Sequence, residues 1–221
     1  MKLQFFLSLM FFLLAPLLFA GDKATFQFLG FSQDGQFLAF SQEGVQDGSG
    51  FFYGEVYILD VKKNNYAKKP FIKQWQDPDY PQYTKVKEEW YQEREKELQP
   101  IKIHLSNQRT YLKPQDSQKK QMDFTYQNKK YQLSLKLSVF EKNCFGMGND
   151  SKMLDLRIQQ GQKEIILQKD KKLPQSRGCA FDYQIAHVWL YQNSIAVALE
   201  VKRTGFEGPD TRWMMISGQL P

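Results

Sequence analysis

The sequence predicts a mainly β protein of antiparallel, propeller-like hairpins, arranged as a partial propeller or a β-sandwich, with one covering helix. Through most of the 221-residue chain, apolar residues recur with a two-residue period, as in strands that bury one face. Turn sequences such as Gln33-Asp34-Gly35 separate these segments. One charged segment without glycine or proline, at residues 84–98, has helical composition instead.

The first twenty residues have the composition of a secretory signal peptide. Lys2 precedes an apolar run at residues 3–14, and the small residue Ala20 stands before Gly21. A membrane anchor is the alternative, but an anchor needs about 20 apolar residues, and this run is shorter and is followed by Pro16. We therefore expect residues 1–20 to be removed. Residues 21–221 would form one secreted, periplasmic domain without a transmembrane segment.

The strands follow one another in chain order, each bounded by turn residues. Asn64-Asn65, Asn128-Lys129, Gly161-Gln162 and Gln192-Asn193 are turn sequences between apolar segments. The predicted strands cover residues 25–32, 36–42, 55–61, 122–126, 131–140, 153–159, 164–168, 183–191, 195–202 and 213–217.

The predicted helix, residues 84–98, begins after two proline-containing dipeptides, Asp77-Pro78 and Tyr80-Pro81, and ends before Pro100. Val86, Trp90 and Leu98 can share one side, with acidic residues on another. This pattern predicts a helix that packs on the sheet. An amphipathic helix that binds a partner is the alternative.

The formal charge of +6 does not point to nucleic acid. The lysines are scattered as pairs near predicted turns, as solubilising residues are, and they form neither a stripe on one helix nor a recognisable nucleic-acid motif. A basic surface could also meet anionic groups of the cell envelope. We expect an envelope protein or ligand as the partner and no cofactor.

The only two cysteines, Cys144 and Cys179, are predicted to form a disulfide. An even pair in an oxidising compartment is usually a structural bridge. A redox site would need a Cys-x-x-Cys spacing, and a zinc site would need more ligands than these two cysteines with His104 and His187 readily supply.

Two glycine-rich acidic loops stand at equivalent places near the two ends of the chain. Each follows a predicted hairpin and precedes a third strand, so the two units have the same order of elements. If the units lie side by side in one sheet system, both loops should emerge at the same edge. The candidate binding residues are Asp47, Gly48, Ser49, Gly50, Phe51, Gly205, Phe206, Glu207, Gly208, Asp210 and Trp213.

Several roles are open to these loops. Glycine can supply positive φ angles while Asp47 and Asp210 cap the turns. The acids could also ligate calcium, although the spaced Asp pattern of a recognised calcium loop is absent. In a binding or scaffold protein, the loop aromatics would contact the partner. In a cell-envelope hydrolase, Asp47, Glu207 and Asp210 would act with Arg212 or His187, but the chain has no Gly-x-Ser-x-Gly or His-Glu-x-x-His motif.

One hairpin resembles a known blade motif. Phe31-Ser32-x-Asp34-Gly35-x-x-Leu38-Ala39-Phe40 is similar to the β-propeller blades of periplasmic TolB-like proteins, in which Asp-Gly forms the turn between adjacent strands. One good copy and one loose copy are too few for an ordinary propeller, so this resemblance implies at most a partial one.

The chain from residue 21 onwards also resembles a bacterial family of predicted secreted proteins of unknown function. The resemblance depends on FSQDGQFLAF, GVQDGSGFFYGEVYILDV, LPQSRGCAFDY and GFEGPDTRW. It covers both ends of the chain well and the middle less well. It supports a periplasmic location and the disulfide, and it implies no reaction.

Overall fold

A computed structural model of the chain describes residues 21–75, 83–104, 109–146, 148–205 and 208–221. The predicted signal peptide, residues 1–20, lies outside this range, as do the two proline-containing dipeptides before the helix. The described residues form antiparallel sheets with one α-helix, so the mainly β prediction is confirmed. The three open sheets are consistent with either a sandwich or a partial propeller.

The described residues contain one α-helix and fourteen strands. The helix is α1 (Tyr83–Leu98). The strands are β1 (Thr25–Ser32), β2 (Phe37–Val45), β3 (Phe52–Asp60), β4 (Asn65–Tyr66), β5 (Phe71–Gln74), β6 (Ile103–His104), β7 (Thr110–Leu112), β8 (Gln121–Tyr126), β9 (Lys129–Glu141), β10 (Ser151–Gln160), β11 (Lys163–Lys169), β12 (Ala180–Tyr191), β13 (Ser194–Thr204) and β14 (Pro209–Gln219).

Three sheets contain these strands. The helix-side sheet has the order β4-β3-β2-β1-β6, with β5 also paired to β3. The outer sheet has the order β11-β10-β9-β8, and the central sheet has the order β14-β13-β12-β7. Hydrophobic clusters lie between the helix-side and central sheets and between the central and outer sheets, so the central sheet is covered on both faces.

Alternation along β13 explains this double burial. Ile195, Val197 and Leu199 pack with the outer sheet, while Ala196 and Ala198 pack with the helix-side sheet. The small alanine side chains leave room for large aromatic rings from the opposite sheet. Phe28 stacks on Trp189, with ring centroids 4.2 Å apart. The two similar units therefore lie in different sheets, packed face to face, rather than side by side in one sheet.

The other face of the helix-side sheet is covered by α1. Trp90 is completely buried and packs with Leu29, Val56 and Ile58. A Cβ on Gly54 would come within 2.5 Å of the Trp90 ring. The absence of a side chain at residue 54 therefore lets the indole lie directly on β3.

The predicted disulfide is present between Cys144 and Cys179, with Cα atoms 5.7 Å apart. Cys144 lies in the turn between β9 and β10, and Cys179 immediately precedes β12. The bond therefore joins the outer sheet to the central sheet at one end of their shared core.

Replacing both cysteines by alanine should lower the free energy of unfolding by about 3 to 4 kcal/mol, because a loop of this length no longer constrains the unfolded chain. Urea denaturation of the two proteins measures the difference. Wild-type protein in reducing agent should lose a similar amount, and an unchanged midpoint in both cases would contradict a stabilising bridge.

Trp90→Ala should cost about 3 to 5 kcal/mol of stability, because it leaves a cavity between α1 and β3. Gly54→Ala should also destabilise, since the added methyl would collide with the indole. Glu89→Ala, at an exposed position of the same helix, is the control and should change stability by less than about 0.5 kcal/mol. Denaturant titration of the three variants tests how α1 docks.

Candidate functional site

The first predicted loop, between β2 and β3, is held by its own polar groups. The Gln46 N–H donates to the Phe51 carbonyl oxygen over 2.9 Å, and the Gly50 N–H donates to the Gln46 carbonyl oxygen over 3.0 Å. Ser49 Oγ accepts from the Phe51 N–H over 3.3 Å. Gly48 and Gly50 have φ angles of 82° and 70°, which glycine adopts readily. Ser49 and Gln46, rather than Asp47, supply the side-chain contacts within this turn.

The second predicted loop joins β13 to β14. The Gly205 N–H donates to the Gly208 carbonyl oxygen over 3.1 Å, which closes the turn. A Cβ on Gly205 would come within 2.5 Å of Asp210 Oδ1. Phe206 and Glu207 lie outside the described residues, so the proposed meeting of Glu207 with Asp47 stays a prediction.

Residues 22–24 connect the bases of the two loops. The Asp22 N–H donates to Asp210 Oδ1 over 3.0 Å, and its carboxylate accepts from Tyr53 Oη over 3.2 Å and from Arg212. Tyr53 is close to the end of the first loop, and Asp210 is close to the end of the second. Buried Asp22 therefore brings the two loop bases to the same end of the stacked sheets.

His187 is not presented to these loops as a general base. It stacks on Phe26 between the helix-side and central sheets, and its Nδ1 lies 2.7 Å from Tyr111 Oη. Burial lowers the pKa of His187, and the nearby charge of Lys113 lowers it further. Arg212 is likewise paired with Asp22. His187, Arg212 and Asp210 of the proposed hydrolase site are therefore engaged in structural contacts.

The described residues contain no group of three His, Cys, Asp or Glu side chains placed to hold a metal ion. Within that same part of the chain, no helix is long and apolar enough to cross a membrane.

A cleft of about 520 Å³ lies where edges of all three sheets converge. Glu55, Tyr57, Tyr66 and Ile72 line it from the helix-side sheet. Val201, Arg203 and residues 212–215 line it from the central sheet. Gln168 of β11 and residues of the segment that follows β11, including Arg177, close the third side. Together these residues form the lining of the cleft.

Two amide side chains attach the edge of β14 to the helix-side sheet. Gln42 Oε1 accepts from the Trp213 N–H over 3.0 Å. Asn64 Oδ1 accepts from the Ser217 N–H over 2.9 Å. Asn64 also donates from Nδ2 to the Leu167 carbonyl oxygen over 3.0 Å, so this one residue contacts all three sheets. The two amides therefore fix the distance between the walls of the cleft.

The two arginines at one end of the cleft, Arg212 and Arg203, differ in how closely their charges are paired. Arg212 has Asp22 as its partner and also lies over the Tyr53 ring, 4.9 Å from its centroid. Arg203 makes a single ion pair within the described part of the chain, to Asp210 at 3.7 Å, which is too long for a hydrogen bond. Burial lowers the pKa of Arg203, and the neighbouring Arg212 lowers it further.

Glu55 supplies a negative charge to the same cleft. Its Oε2 accepts from Gln42 Nε2 and from Tyr57 Oη, each over 2.6 Å. Burial raises the pKa of Tyr57, and the Glu55 charge raises it further, so the Tyr57 hydroxyl remains a neutral donor. The cleft therefore has a carboxylate held in a fixed orientation, and its charge acts on Arg203.

Arg177 forms part of the third wall through a bidentate pair with Asp170. Arg177 Nη1 and Nη2 donate to the two Asp170 carboxylate oxygens over 2.7 and 2.6 Å. The Asp170 side chain is 1% exposed. Burial opposes ionisation of Asp170, but hydrogen bonds from Arg177, the Leu154 N–H and Gln168 outweigh it and hold the pKa below its usual range.

The sequence predictions found the cleft only in part. Trp213, a predicted binding residue, lines it, and Asp210 pairs with one of its arginines. Residues 47–51 and Gly205 do not line it. Glu55, Tyr57, Tyr66 and Arg203 were missed, because they come from strands that are distant in the sequence. In the sequence, the placement of Arg203 and Arg212 on the two sides of a predicted hairpin turn was the one local pattern that could have indicated the cleft.

A family model described as "Predicted secreted protein (DUF2259)", a family of unknown function, matches residues 39–219. A comparison with curated proteins gave no significant match. A comparison with solved structures also gave none, and the resemblance to TolB-like blades is not confirmed.

Asp170→Asn should lower the free energy of unfolding at pH 7 by about 3 kcal/mol, because it leaves the buried Arg177 without its counter-ion. The Asp170 pKa is depressed in the folded protein. Its stabilising effect is therefore complete above the unfolded-state pKa of about 3.9 and is lost as the pH falls through the lower folded-state value. The difference between wild type and variant should shrink below about pH 4.

Urea titrations at neutral and acidic pH measure this difference. Asp155→Asn is the control, because Asp155 also pairs with an arginine but at a more exposed site. It should cost no more than about 1 kcal/mol at pH 7. A difference between wild type and Asp170→Asn that is independent of pH would show that the carboxylate charge is not what stabilises the wall.

Proposed function

The chain belongs to this family of predicted secreted proteins, and from that premise we propose that it is a periplasmic binding protein whose ligand occupies the cleft. The signal-like residues 1–20 support export, and the two cysteines suit an oxidising compartment. Catalysis is not part of the proposal. The function proposed is the capture of a small molecule between sheet edges.

The observation that carries the proposal is the convergence of three sheet edges on one amphipathic cleft. Its volume of about 520 Å³ falls within the range of small-molecule sites. Leu59, Ile72 and Met214 give it apolar walls, while Arg203 and Glu55 supply polar groups of opposite sign. Such a combination is typical of sites that bury most of a ligand and orient it by a few polar contacts.

The rigidity of the walls also favours binding. Gln42 and Asn64 tie β14 to the helix-side sheet, and the Asp170–Arg177 pair holds the segment after β11. Tyr57 stacks on Phe40 with ring centroids 4.7 Å apart. A site with preset walls loses little conformational entropy when its ligand enters. The loop bases joined by Asp22 adjoin the arginine end of the same cleft.

Native mass spectrometry tests the proposal. The exported protein is incubated with the small-molecule fraction of a periplasmic extract, and bound mass is recorded. Ile72→Trp places a large ring at the mouth of the cleft, at a residue that is 60% exposed, so the fold should be retained. We expect a stoichiometric adduct on the wild type and at least a tenfold lower occupancy on this variant.

Ile166→Trp is the matched control, because Ile166 is also a strand isoleucine, is 50% exposed and lies outside the cleft. It should retain the adduct. Equal occupancy of all three proteins would place the ligand elsewhere, and the absence of any adduct on the wild type would reject the small-molecule function.

A further inference from the structure

The edge of β14 leaves main-chain groups free inside the cleft. Three N–H groups on this edge donate to other parts of the protein. The Thr211 N–H donates to the Asp22 carbonyl oxygen, that of Trp213 to Gln42 Oε1, and that of Ser217 to Asn64 Oδ1. The pairing of β13 with β14 is continuous, so the two-residue alternation turns the Met215 N–H to the same edge. Among the described residues, none accepts a hydrogen bond from it.

The Met215 carbonyl group points to the same side of the strand, and so does that of Trp213. Both residues line the cleft, and Met215 is buried. Buried main-chain groups of this kind are normally hydrogen-bonded. Elsewhere on this edge, residues 22–24 and two side-chain amides occupy the place of a neighbouring strand. The stretch around Met215 is the part that remains for a ligand.

An extended peptide can form hydrogen bonds with the main-chain N–H and C=O groups of Met215. A peptide residue opposite Met215 can donate its N–H to the Met215 oxygen and accept from the Met215 N–H, as in an antiparallel pair. Addition of a peptide to an exposed sheet edge is an established mode of recognition.

The positions of Arg203 and Arg212 favour one direction for this peptide. β14 begins at Pro209 beside Arg203 and Arg212 and runs away from them. An antiparallel peptide therefore has its carboxyl end at the arginines, where Arg203 has no hydrogen-bonding partner within the described residues. A parallel peptide would place its ammonium group there, beside the like charges of Arg203 and Arg212. The carboxylates at this end are already engaged: Asp22 accepts from Tyr53 and Arg212, Asp210 from the Asp22 N–H, and Glu55 from Gln42 and Tyr57.

We propose that the ligand is a short, free peptide, bound antiparallel to β14 with its terminal carboxylate at Arg203. The proposal rests on the cleft function proposed above and specifies its ligand class. Side chains of the peptide would alternate between the apolar wall at Ile72 and Tyr66 and the wall at Val201 and Met214. The limited size of the cleft suits a few residues rather than a folded partner.

The test uses Ala-Leu-Ala and its carboxamide, Ala-Leu-Ala-NH₂, titrated into ¹⁵N-labelled protein. We expect the tripeptide to shift the Met215 amide cross-peak and to slow the exchange of this amide with solvent. The carboxamide should bind at least about tenfold more weakly, because it lacks the charge that pairs with Arg203. Arg203→Gln should abolish this preference.

Lys202→Gln is the matched control, since it removes the same charge from the adjacent residue, which does not line the cleft. It should keep the preference for the free acid. Equal binding of the two peptides by wild type, or an unresponsive Met215 amide, would overturn the proposal. Free leucine and inorganic phosphate are titrated in parallel. If either of these binds and the peptides do not, the ligand is not a peptide but the cleft is still a binding site. The same conclusion holds if no peptide binds while native mass spectrometry still shows the adduct that Ile72→Trp removes.

Discussion

The burial of the central sheet on both faces is the constraint on which the rest of the structure depends. β13 is apolar at nearly every position from Ile195 to Val201, so neither of its faces can be left in water without a large loss of hydrophobic stabilisation. The outer sheet covers one face with aliphatic side chains. The helix-side sheet covers the other with aromatic rings that fit over alanines. The helix is then needed only because the helix-side sheet has an apolar outer face of its own.

This stacking has a consequence at the sheet edges. A sandwich of open sheets leaves unpaired strands, and an exposed apolar edge invites association with other chains. Here the β14 edge is turned inward between its neighbours and is capped by Gln42, Asn64 and residues 22–24. The main-chain groups of Met215, which none of the described residues caps, lie within the cleft rather than on an open surface. The same arrangement that protects the edge also makes it accessible to a small ligand only.

The electrostatics of the cleft follow from how each arginine is satisfied. Arg177 and Arg212 have carboxylate partners that are themselves largely buried, so these pairs hold the walls in place. Arg203 has a distant partner, and burial disfavours its charge. The Arg203 side chain is 26% exposed and has no close hydrogen bond to any described residue, so its charge is poorly compensated. Its retention at the rim of the site is consistent with a role in binding an anion.

The strand and helix content could be predicted from local patterns along the chain. All ten predicted strands and the helix correspond to elements of the structure, because their periodic apolar faces and turn residues act locally. The even cysteine pair was likewise enough to predict the disulfide. Among the described elements, β4 to β7 were not predicted. They are two to four residues long, and only pairing with a partner strand defines them.

The stacking of the sheets and the position of the cleft could not be predicted in this way, because they depend on contacts between distant segments. The unbroken apolar run in β13 was a local sign of a strand buried on both faces, but it does not say which sheets cover it. Glu55, Tyr66, Arg203 and Arg177 are brought together by that stacking, across long separations in the sequence. The Met215 amide, which has no acceptor among the described residues, is likewise defined by what its neighbours on the edge bind. Short-range patterns record which face of a strand is buried, whereas a site built from three sheet edges depends on contacts that no local pattern contains.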